Sequence, residues 1–300
     1  MYLTHFGLSE LPFGITPDTS FFFSLNDHQQ ALNTLLVAVR NGEGFIKITG
    51  EVGTGKTLLC RQFLRSINNH FDDSPGSTTT KQRFITAYIP NPYLEPRTLL
   101  LALADELGIV LEKDADQYQL LQSLTLALLN FAEQGRQVVL CLDEAQAMPM
   151  ETLEAVRLLS NLETEKNKLL QIVLFGQPEL NLRLQQDSIR QLNQRITFHY
   201  HLSPLSRRDL DNYIMHRIIV AQGNNLKISS SNPLFHKSAT RLLYAASGGI
   251  PRLINILAHK ALMLTYGEGR QQVKARHVRA AAKDTAAARH GLWRWLGILQ

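Results

Sequence analysis

The sequence predicts an α/β fold in which a parallel sheet, flanked by helices, is followed by a C-terminal α-helical domain. Short apolar runs alternate with helical segments up to about residue 201, which is typical of a doubly wound parallel sheet. A glycine-rich stretch joins the first apolar run to a helix. Beyond about residue 202 only helical periodicity remains.

Strands are predicted at residues 45–49, 84–89, 137–142 and 170–175, with a short fifth strand after Arg195. Helices are predicted directly after the glycine-rich stretch and at residues 27–39, 96–107, 117–134, 150–161, 207–222, 233–247, 251–266 and 275–288. These elements divide into an α/β domain at 1–201, a helical domain at 202–288 and a tail at 289–300. Within the first domain, 1–25 should be an extended strap and 72–81 an exposed, mobile loop.

The composition limits the class of protein. The 300 residues are 44% hydrophobic with a formal net charge of +5, so a full core can form. No apolar run is long enough for a membrane span and no secretory signal is recognisable, so we expect a cytoplasmic protein. Cys60 and Cys141 lack metal-type spacing and should be buried and reduced. Seven Lys or Arg fall within 270–295, either as a solvated face or as a contact for an acidic surface.

The glycine-rich stretch has the spacing Gly-x-x-x-x-Gly-Lys-Thr between a strand and a helix. Such a loop directs backbone N–H groups at a bound anion at a helix N-terminus, which suits a polyphosphate. Lys56 is predicted to reach the β- and γ-phosphates of ATP, and Thr57 to bind Mg²⁺. The predicted nucleotide-binding residues are Gly50, Glu51, Val52, Gly53, Thr54, Gly55, Lys56, Thr57 and Leu58. The alternative is an ordinary glycine-rich turn before a helix.

Two acids follow the most apolar predicted strand. Asp143 and Glu144 come directly after residues 137–142, at the edge of a parallel sheet where ligands bind. Asp143 is predicted to hold Mg²⁺ through water, and Glu144 to orient and deprotonate the attacking water. Gln177 ends a neighbouring strand and could contact the γ-phosphate or that water. The alternatives are acids that open the next helix and, for Gln177, a polar turn residue before Pro178.

The order of these motifs resembles that of AAA+ ATPases, whose helical lid carries a Gly-x-Pro-Arg motif. Residues 248–252 read GGIPR, so the resemblance implies that Arg252 is the second sensor of the γ-phosphate. The alternative is a solvated arginine that opens a helix. The resemblance also implies that Arg195, or Arg190 in its place, reaches into the nucleotide site of a neighbouring subunit.

A narrower resemblance is to the ExeA/GspA group of secretion and pilus ATPases, and within it to those of MSHA-type pilus biogenesis. It is carried by YLTHFGL at 2–8, PFGITPD at 12–18, FGQPEL at 175–180 and GIPRLIN at 249–255. It implies ATP hydrolysis with Mg²⁺, an ATP-dependent oligomer, and a role in assembling a type IV (MSHA-type) pilus or a related secretion apparatus. It also implies an inner-membrane assembly protein as the partner.

Alternatives to this function remain. The chain could be a DNA-associated helper ATPase of the transposition type, which would use basic residues such as Arg276, Arg279 and Lys283, or a nucleotide-bound scaffold. Nucleic acid is not the expected partner, because no stacking-aromatic or helix-turn-helix signature accompanies these residues. In the tail, Trp293 and Trp295 lie beside basic residues, so the tail either lies peripherally on the inner membrane or packs on the lid.

Overall fold

The computed structural model describes residues 2–16, 18–23, 26–70, 83–110, 115–164, 168–223 and 233–289. The predicted loop at 72–81 and residues 290–300 of the predicted tail lie outside these ranges. Backbone contacts divide the chain into two units. The sheet unit comprises Asn26–Gly50 and Lys56–Leu202. The helical unit comprises the described parts of Met1–Leu25, Glu51–Gly55 and Ser203–Gln300.

The sheet unit is built on five parallel strands in the order β2-β3-β4-β1-β5. The strands are β1 (Phe45–Gly50), β2 (Phe84–Ile89), β3 (Gln137–Leu142), β4 (Leu170–Gly176) and β5 (Phe198–Leu202). Every residue of β1 and β4 is buried. Strands covered on both faces favour continuous apolar runs, which is why the sequence pattern located them. The predicted α/β fold with a parallel sheet is confirmed.

Helices cover both faces of this sheet. Within the sheet unit they are α2 (Asn26–Arg40), α3 (Lys56–His70), α4 (Pro96–Glu106), α5 (Gln117–Glu133), α6 (Met150–Leu159), α7 (Glu179–Leu184) and α8 (Arg190–Gln194). One apolar core includes Phe45, Leu140 and residues of α4 to α8. A second core, on the other face, includes Ile46, Phe63 and residues of α2 and α3. Both cysteines lie in this second core as free thiols, as predicted.

The helical unit contains the remaining helices, α1 (Tyr2–Phe6), α9 (Arg207–Gln222), α10 (Lys237–Ser247), α11 (Pro251–Gly267) and α12 (Ala275–Lys283). The Ser206 side chain accepts the Asp209 N–H at the start of α9, as a Ser cap should. The predicted helix start at Pro233 is wrong, because Phe235 forms a β-bridge with Val273 and α10 begins only after His236. The predicted end of the last helix near Ala288 is also wrong, because α12 ends at Lys283. Just beyond that end, Lys260 Nζ donates to the Asp284 carbonyl oxygen (2.8 Å).

The N-terminal strap differs from its prediction in two ways. It is not extended throughout, because Tyr2–Phe6 is a helix that ends at Gly7, where φ is +68°, and the Leu8 N–H bonds back to the Leu3 carbonyl oxygen (2.8 Å). Contacts also group it with the helical unit and not with the sheet. Arg217 Nε donates to the Pro12 carbonyl oxygen (2.5 Å), and Asn255 Nδ2 donates to that of Gly14 (3.2 Å). The predicted domain boundaries stay a prediction.

Candidate active site

The loop between β1 and α3 contains the predicted phosphate-binding residues. Gly53 and Gly55 have φ angles of +83° and +101°, a conformation that glycine adopts without a Cβ penalty. Lys56 opens α3, is buried, and donates from Nζ to the Gly50 carbonyl oxygen (2.8 Å). The lysine ammonium therefore lies over the loop, where it can neutralise a bound anion.

Other residues of this loop differ in exposure. Glu51 and Val52 are exposed, Leu58 is half-buried, and Thr54 is buried with its hydroxyl donating to the Glu51 carbonyl oxygen (2.9 Å). This hydrogen bond closes a turn within the loop. We expect residues 51, 52 and 58 to contribute to anion binding through their backbone N–H groups.

The glycine at position 53 is explained by side chains that come close to the loop backbone. A Cβ at Gly53 would lie 2.6 Å from the Cβ of Arg252 and 3.2 Å from Cγ2 of Ile250. The Arg252 N–H donates to the Gly53 carbonyl oxygen (3.2 Å), while the Arg252 side chain is exposed. These residues all belong to the helical unit. Gly53 is thus required by the protein's own packing, in addition to any ligand.

The acid that follows β3 lies against the start of α3. Asp143 is buried, and its carboxylate is hydrogen-bonded by the Thr57 hydroxyl and, at Oδ1, by the Glu144 N–H (3.0 Å). The Tyr88 hydroxyl donates to Oδ2 over 3.4 Å. Burial raises the pKa of Asp143 above its ordinary value, although both closer hydrogen bonds and the Lys56 charge lower it. The structure thus brings together the two residues predicted to bind the metal.

The residues at the start of α3 and the end of β3 fit a magnesium ion. Mg²⁺ is usually held by one or two carboxylates together with waters and substrate phosphates. Asp143 supplies a carboxylate oxygen and Thr57 a hydroxyl, already in hydrogen-bond contact with each other. The Lys56 ammonium lowers the pKa of Asp143, so a positive charge lies near this pair of residues. We therefore assign Thr57 and Asp143 as the residues that would hold the ion.

The second acid and the predicted glutamine also meet. Glu144 is half-buried, and its Oε2 accepts from Nε2 of Gln177 (3.2 Å) and from Nε2 of Gln146 (2.6 Å). The Oε1 of Gln146 in turn accepts the Gln177 N–H (3.0 Å). Glu144 is followed by a short 3-10 turn, Ala145–Ala147. The alternative in which both acids simply open a helix is not what the structure has, because α6 begins only at Met150.

The two candidate arginines lie apart from these acids. Arg195 is half-buried and donates from Nη1 to the carbonyl oxygen (3.1 Å) and the hydroxyl (3.2 Å) of Ser160, at the end of α6. Arg190 opens α8 and is exposed. Among the described residues, no contact joins either arginine to Asp143 or Glu144. Neither belongs to this subunit's acidic cluster.

Sequence reasoning missed three residues of the site. Gln146, Tyr88 and Arg183 each contact the acids or their turn. Gln146 had a weak signal, since it is a polar residue two positions after Glu144 in a buried turn. Tyr88 and Arg183 had none, because their partners are distant in sequence and only folding brings them together.

Comparisons with known proteins agree with this arrangement. Residues 39–184 match the family model of the AAA domain. The chain is 40% identical over 294 residues to General secretion pathway protein A of Aeromonas hydrophila, an alignment that covers 98% of this chain and 50% of that protein. The chain thus spans about half the length of the curated relative it matches.

Similar solved structures share the fold. The ORC2 protein of Aeropyrum pernix, in ADPNP and ADP complexes, has a TM-score of 0.64 at 16% identity, covering 95% of this chain and 75% of that one. Cdc6p of Pyrobaculum aerophilum has a TM-score of 0.64 at 18% identity, covering 89% and 70%. RuvB of Thermotoga maritima has a TM-score of 0.54 at 13% identity, covering 90% and 73%. The chain therefore shares the fold of these structures, and over residues 39–184 it is similar to the AAA domain.

Proposed function

We propose that the chain binds ATP with Mg²⁺ and hydrolyses it at the site formed by the β1–α3 loop and the end of β3. The observation that carries the proposal is the contact between the Thr57 hydroxyl and the buried Asp143 carboxylate, beside Lys56. A buried carboxylate, a hydroxyl and an ammonium at the start of a helix suit a metal–polyphosphate complex better than any uncharged ligand.

Each residue has a defined task in this mechanism. The loop N–H groups and Lys56 bind the phosphates. Thr57 and Asp143 would hold the ion, which would neutralise phosphate charge when bound. Glu144 orients the attacking water and accepts its proton, while Gln177 binds the same water or the γ-phosphate. Arg252 is proposed to sense the γ-phosphate from the helical unit, which its exposed side chain permits.

A second subunit is proposed to supply an arginine. Such a group typically contributes about 10³- to 10⁵-fold in rate, so turnover per subunit should rise with protein concentration. Arg190 is exposed, whereas Arg195 is hydrogen-bonded to Ser160 within its own subunit, which supports Arg190 as the first variant to test. Turnover that is independent of concentration, and unchanged in both Arg190→Ala and Arg195→Ala, would refute a shared site.

The biological role is proposed from the relative. Its name places it in a general secretion pathway, which supports a role for this chain in a secretion apparatus. Assembly of an MSHA-type pilus, by an ATPase of the MshM type, is the finer proposal. An inner-membrane assembly protein would be the partner. Among the described residues, no helix combines the length and apolar character needed to cross a bilayer. We propose a cytoplasmic location with peripheral membrane contact, tested by liposome flotation of the full chain against one ending at Ala288.

Phosphate release from Mg²⁺–ATP tests the enzymatic proposal directly. Lys56→Ala should abolish both nucleotide binding and release, because the loop loses the ammonium that neutralises the phosphates. Lys237→Ala is the matched control, since Lys237 also opens a helix but is exposed in α10. ATP binding without any phosphate release from the wild-type chain would favour the scaffold alternative and refute hydrolysis.

A further inference from the structure

The turn that follows β3 has a backbone conformation unlike the rest of the described chain. Glu144 has φ +53° and ψ +37°, and it is the one non-glycine residue with positive φ among the described residues. A left-handed conformation is unfavourable for a residue with a Cβ and persists only where surrounding contacts hold it. Contacts around Glu144 must therefore hold this conformation, and they also fix the position of its carboxylate.

Gln146 makes most of these contacts. Its carboxamide bridges two elements: Nε2 donates to Oε2 of Glu144 (2.6 Å), and Oε1 accepts the backbone N–H of Gln177 (3.0 Å), directly after β4. The fit against β4 is close, because a Cβ at Gly176 would lie 3.3 Å from that same Oε1. The Gln146 side chain is therefore fixed at both ends by the sheet and the acid.

The backbone of the turn is fixed as well. Arg183, on α7, donates from Nη1 to the Gln146 carbonyl oxygen and from Nη2 to that of Met148. A guanidinium that binds two carbonyl oxygens at once restrains their relative position. Gln146 thus cannot swing away from Glu144 without breaking contacts on both its side chain and its main chain.

The two carboxylate oxygens of Glu144 differ in the hydrogen bonds that they accept. Oε2 accepts from the amides of both Gln146 and Gln177. Oε1 accepts from no group in the described part of the chain. We propose that Gln146 is a positioning residue, which anchors Oε2 so that Oε1 faces the attacking water and takes its proton. This inference rests on the proposed ATPase function and assigns to Gln146 a part in it.

The anchor predicts a measurable effect. Without the Gln146 amide, Oε2 is held by Gln177 alone, so the carboxylate of Glu144 should also adopt orientations in which Oε1 does not face the water. Asp143 and Arg183, the charged residues that contact this turn, are unaltered by substitution at 146. The turnover number kcat should therefore report on Gln146, whereas KM should not.

The experiment compares three full-length variants in steady-state ATP hydrolysis, with nucleotide binding followed separately by a fluorescent ATP analogue. Gln146→Met should lower kcat by about 10- to 100-fold, as loss of a supporting hydrogen bond does at other sites. KM and nucleotide affinity should stay near wild type, because Gln146 contacts no residue of the β1–α3 loop among the described residues.

Gln146→Glu keeps an oxygen that can accept the Gln177 N–H but places a second carboxylate against Glu144. Two facing carboxylates repel each other, so Glu144 should leave its position and kcat should fall further than in Gln146→Met, which keeps the proposal testable if the methionine variant folds poorly. Gln137→Met is the matched control at the opposite end of β3, where the Gln137 amide oxygen is buried without a hydrogen-bond partner among the described residues. Its kcat should equal that of wild type.

The possible results distinguish failure of the positioning role of Gln146 from failure of the proposed ATPase function. A wild-type chain that releases no phosphate refutes the proposed function. An active wild type beside a Gln146→Met variant with normal kcat refutes the positioning role alone. Losses of kcat that are matched by equal losses of nucleotide affinity in both Gln146→Met and Gln146→Glu also refute it, because that result indicates only a general effect on folding.

Discussion

The ends of β1 and β3, which have β4 between them in the sheet, are each followed by left-handed backbone, but with different kinds of residue. After β1 the chain takes left-handed conformations at Gly53 and Gly55 (φ +83° and +101°), and after β3 it does so at Glu144 (φ +53°). The first turn uses residues without a side chain. The second retains a side chain and compensates for the unfavourable conformation with hydrogen bonds from Gln146 and Gln177.

The difference follows from what each turn supplies. A loop that binds phosphate does so with backbone N–H groups, and a Cβ would obstruct them. A turn that supplies a base needs a carboxylate, so glycine cannot serve there. The turn after β1 needs glycine for its positive φ and because Arg252 packs against Gly53. The turn after β3 keeps a side chain and is held by hydrogen bonds from Arg183 and Gln177, which come from other elements.

The largest effect is expected when the base alone is changed. Glu144→Gln should reduce kcat by about 10²- to 10⁴-fold, the usual contribution of a general base, while nucleotide binding stays intact because the β1–α3 loop is unaltered. Phosphate release and nucleotide affinity measure the two effects. Glu179→Gln, at an exposed position in α7, is the control. Unchanged turnover in Glu144→Gln would remove Glu144 from the mechanism.

The glycine side of the comparison is tested by Gly53→Ala against Gly42→Ala. Both positions have φ near +80° (+83° and +79°), but a Cβ at Gly42 meets nothing within 4 Å. Gly42→Ala should destabilise by about 1–2 kcal/mol through its backbone alone. Gly53→Ala should add about 1–3 kcal/mol for crowding against Arg252 and weaken nucleotide binding. Equal denaturation midpoints for the two variants would show that the close approach is unimportant.

The dependence of the β3 turn on distant partners is tested by Arg183→Met. Two carbonyl oxygens lose a charged donor, so the free energy of unfolding should fall by about 1.5–3 kcal/mol, with a smaller loss of kcat than in Glu144→Gln. Arg40→Met, at an exposed position on α2, controls for loss of charge. Denaturant unfolding measures the first effect; a variant as stable as Arg40→Met would contradict it.

The smallest effect concerns Asp143 and pH. Burial raises its pKa in the folded chain above 3.8, the value of an unperturbed Asp. The contribution of this carboxyl to stability is therefore fully present below pH 3.8 and is lost as the pH rises through the folded pKa. Asp143→Asn, which cannot ionise, should melt at a higher temperature than wild type at neutral pH without nucleotide.

That advantage of Asp143→Asn should shrink as the pH falls, and the variant should lose magnesium-dependent nucleotide binding. Thermal unfolding at several pH values measures the first expectation. A variant that melts below wild type at neutral pH would show that the Thr57 and Glu144 hydrogen bonds outweigh the cost of burial.

Prediction from sequence succeeded where the signal is local. β2 and β3 have the predicted bounds, because buried parallel strands are continuous apolar runs. It failed where a contact from elsewhere determines an element, as at the bridge between Phe235 and Val273 before α10. The short helices α7 and α8 were not predicted, since five or six residues give too little periodicity.

The sequence by itself determined the parallel sheet, the glycine loop with Lys56 and Thr57, and the two acids after β3, because each is a pattern of neighbouring residues with a local physical meaning. Only the tertiary structure decided that Arg252 packs on Gly53, that the strap joins the helical unit, and that Gln146 and Gln177 hold one oxygen of Glu144. The reason is that hydrogen bonds and close packing depend on distances between residues far apart in the chain, which no local pattern encodes.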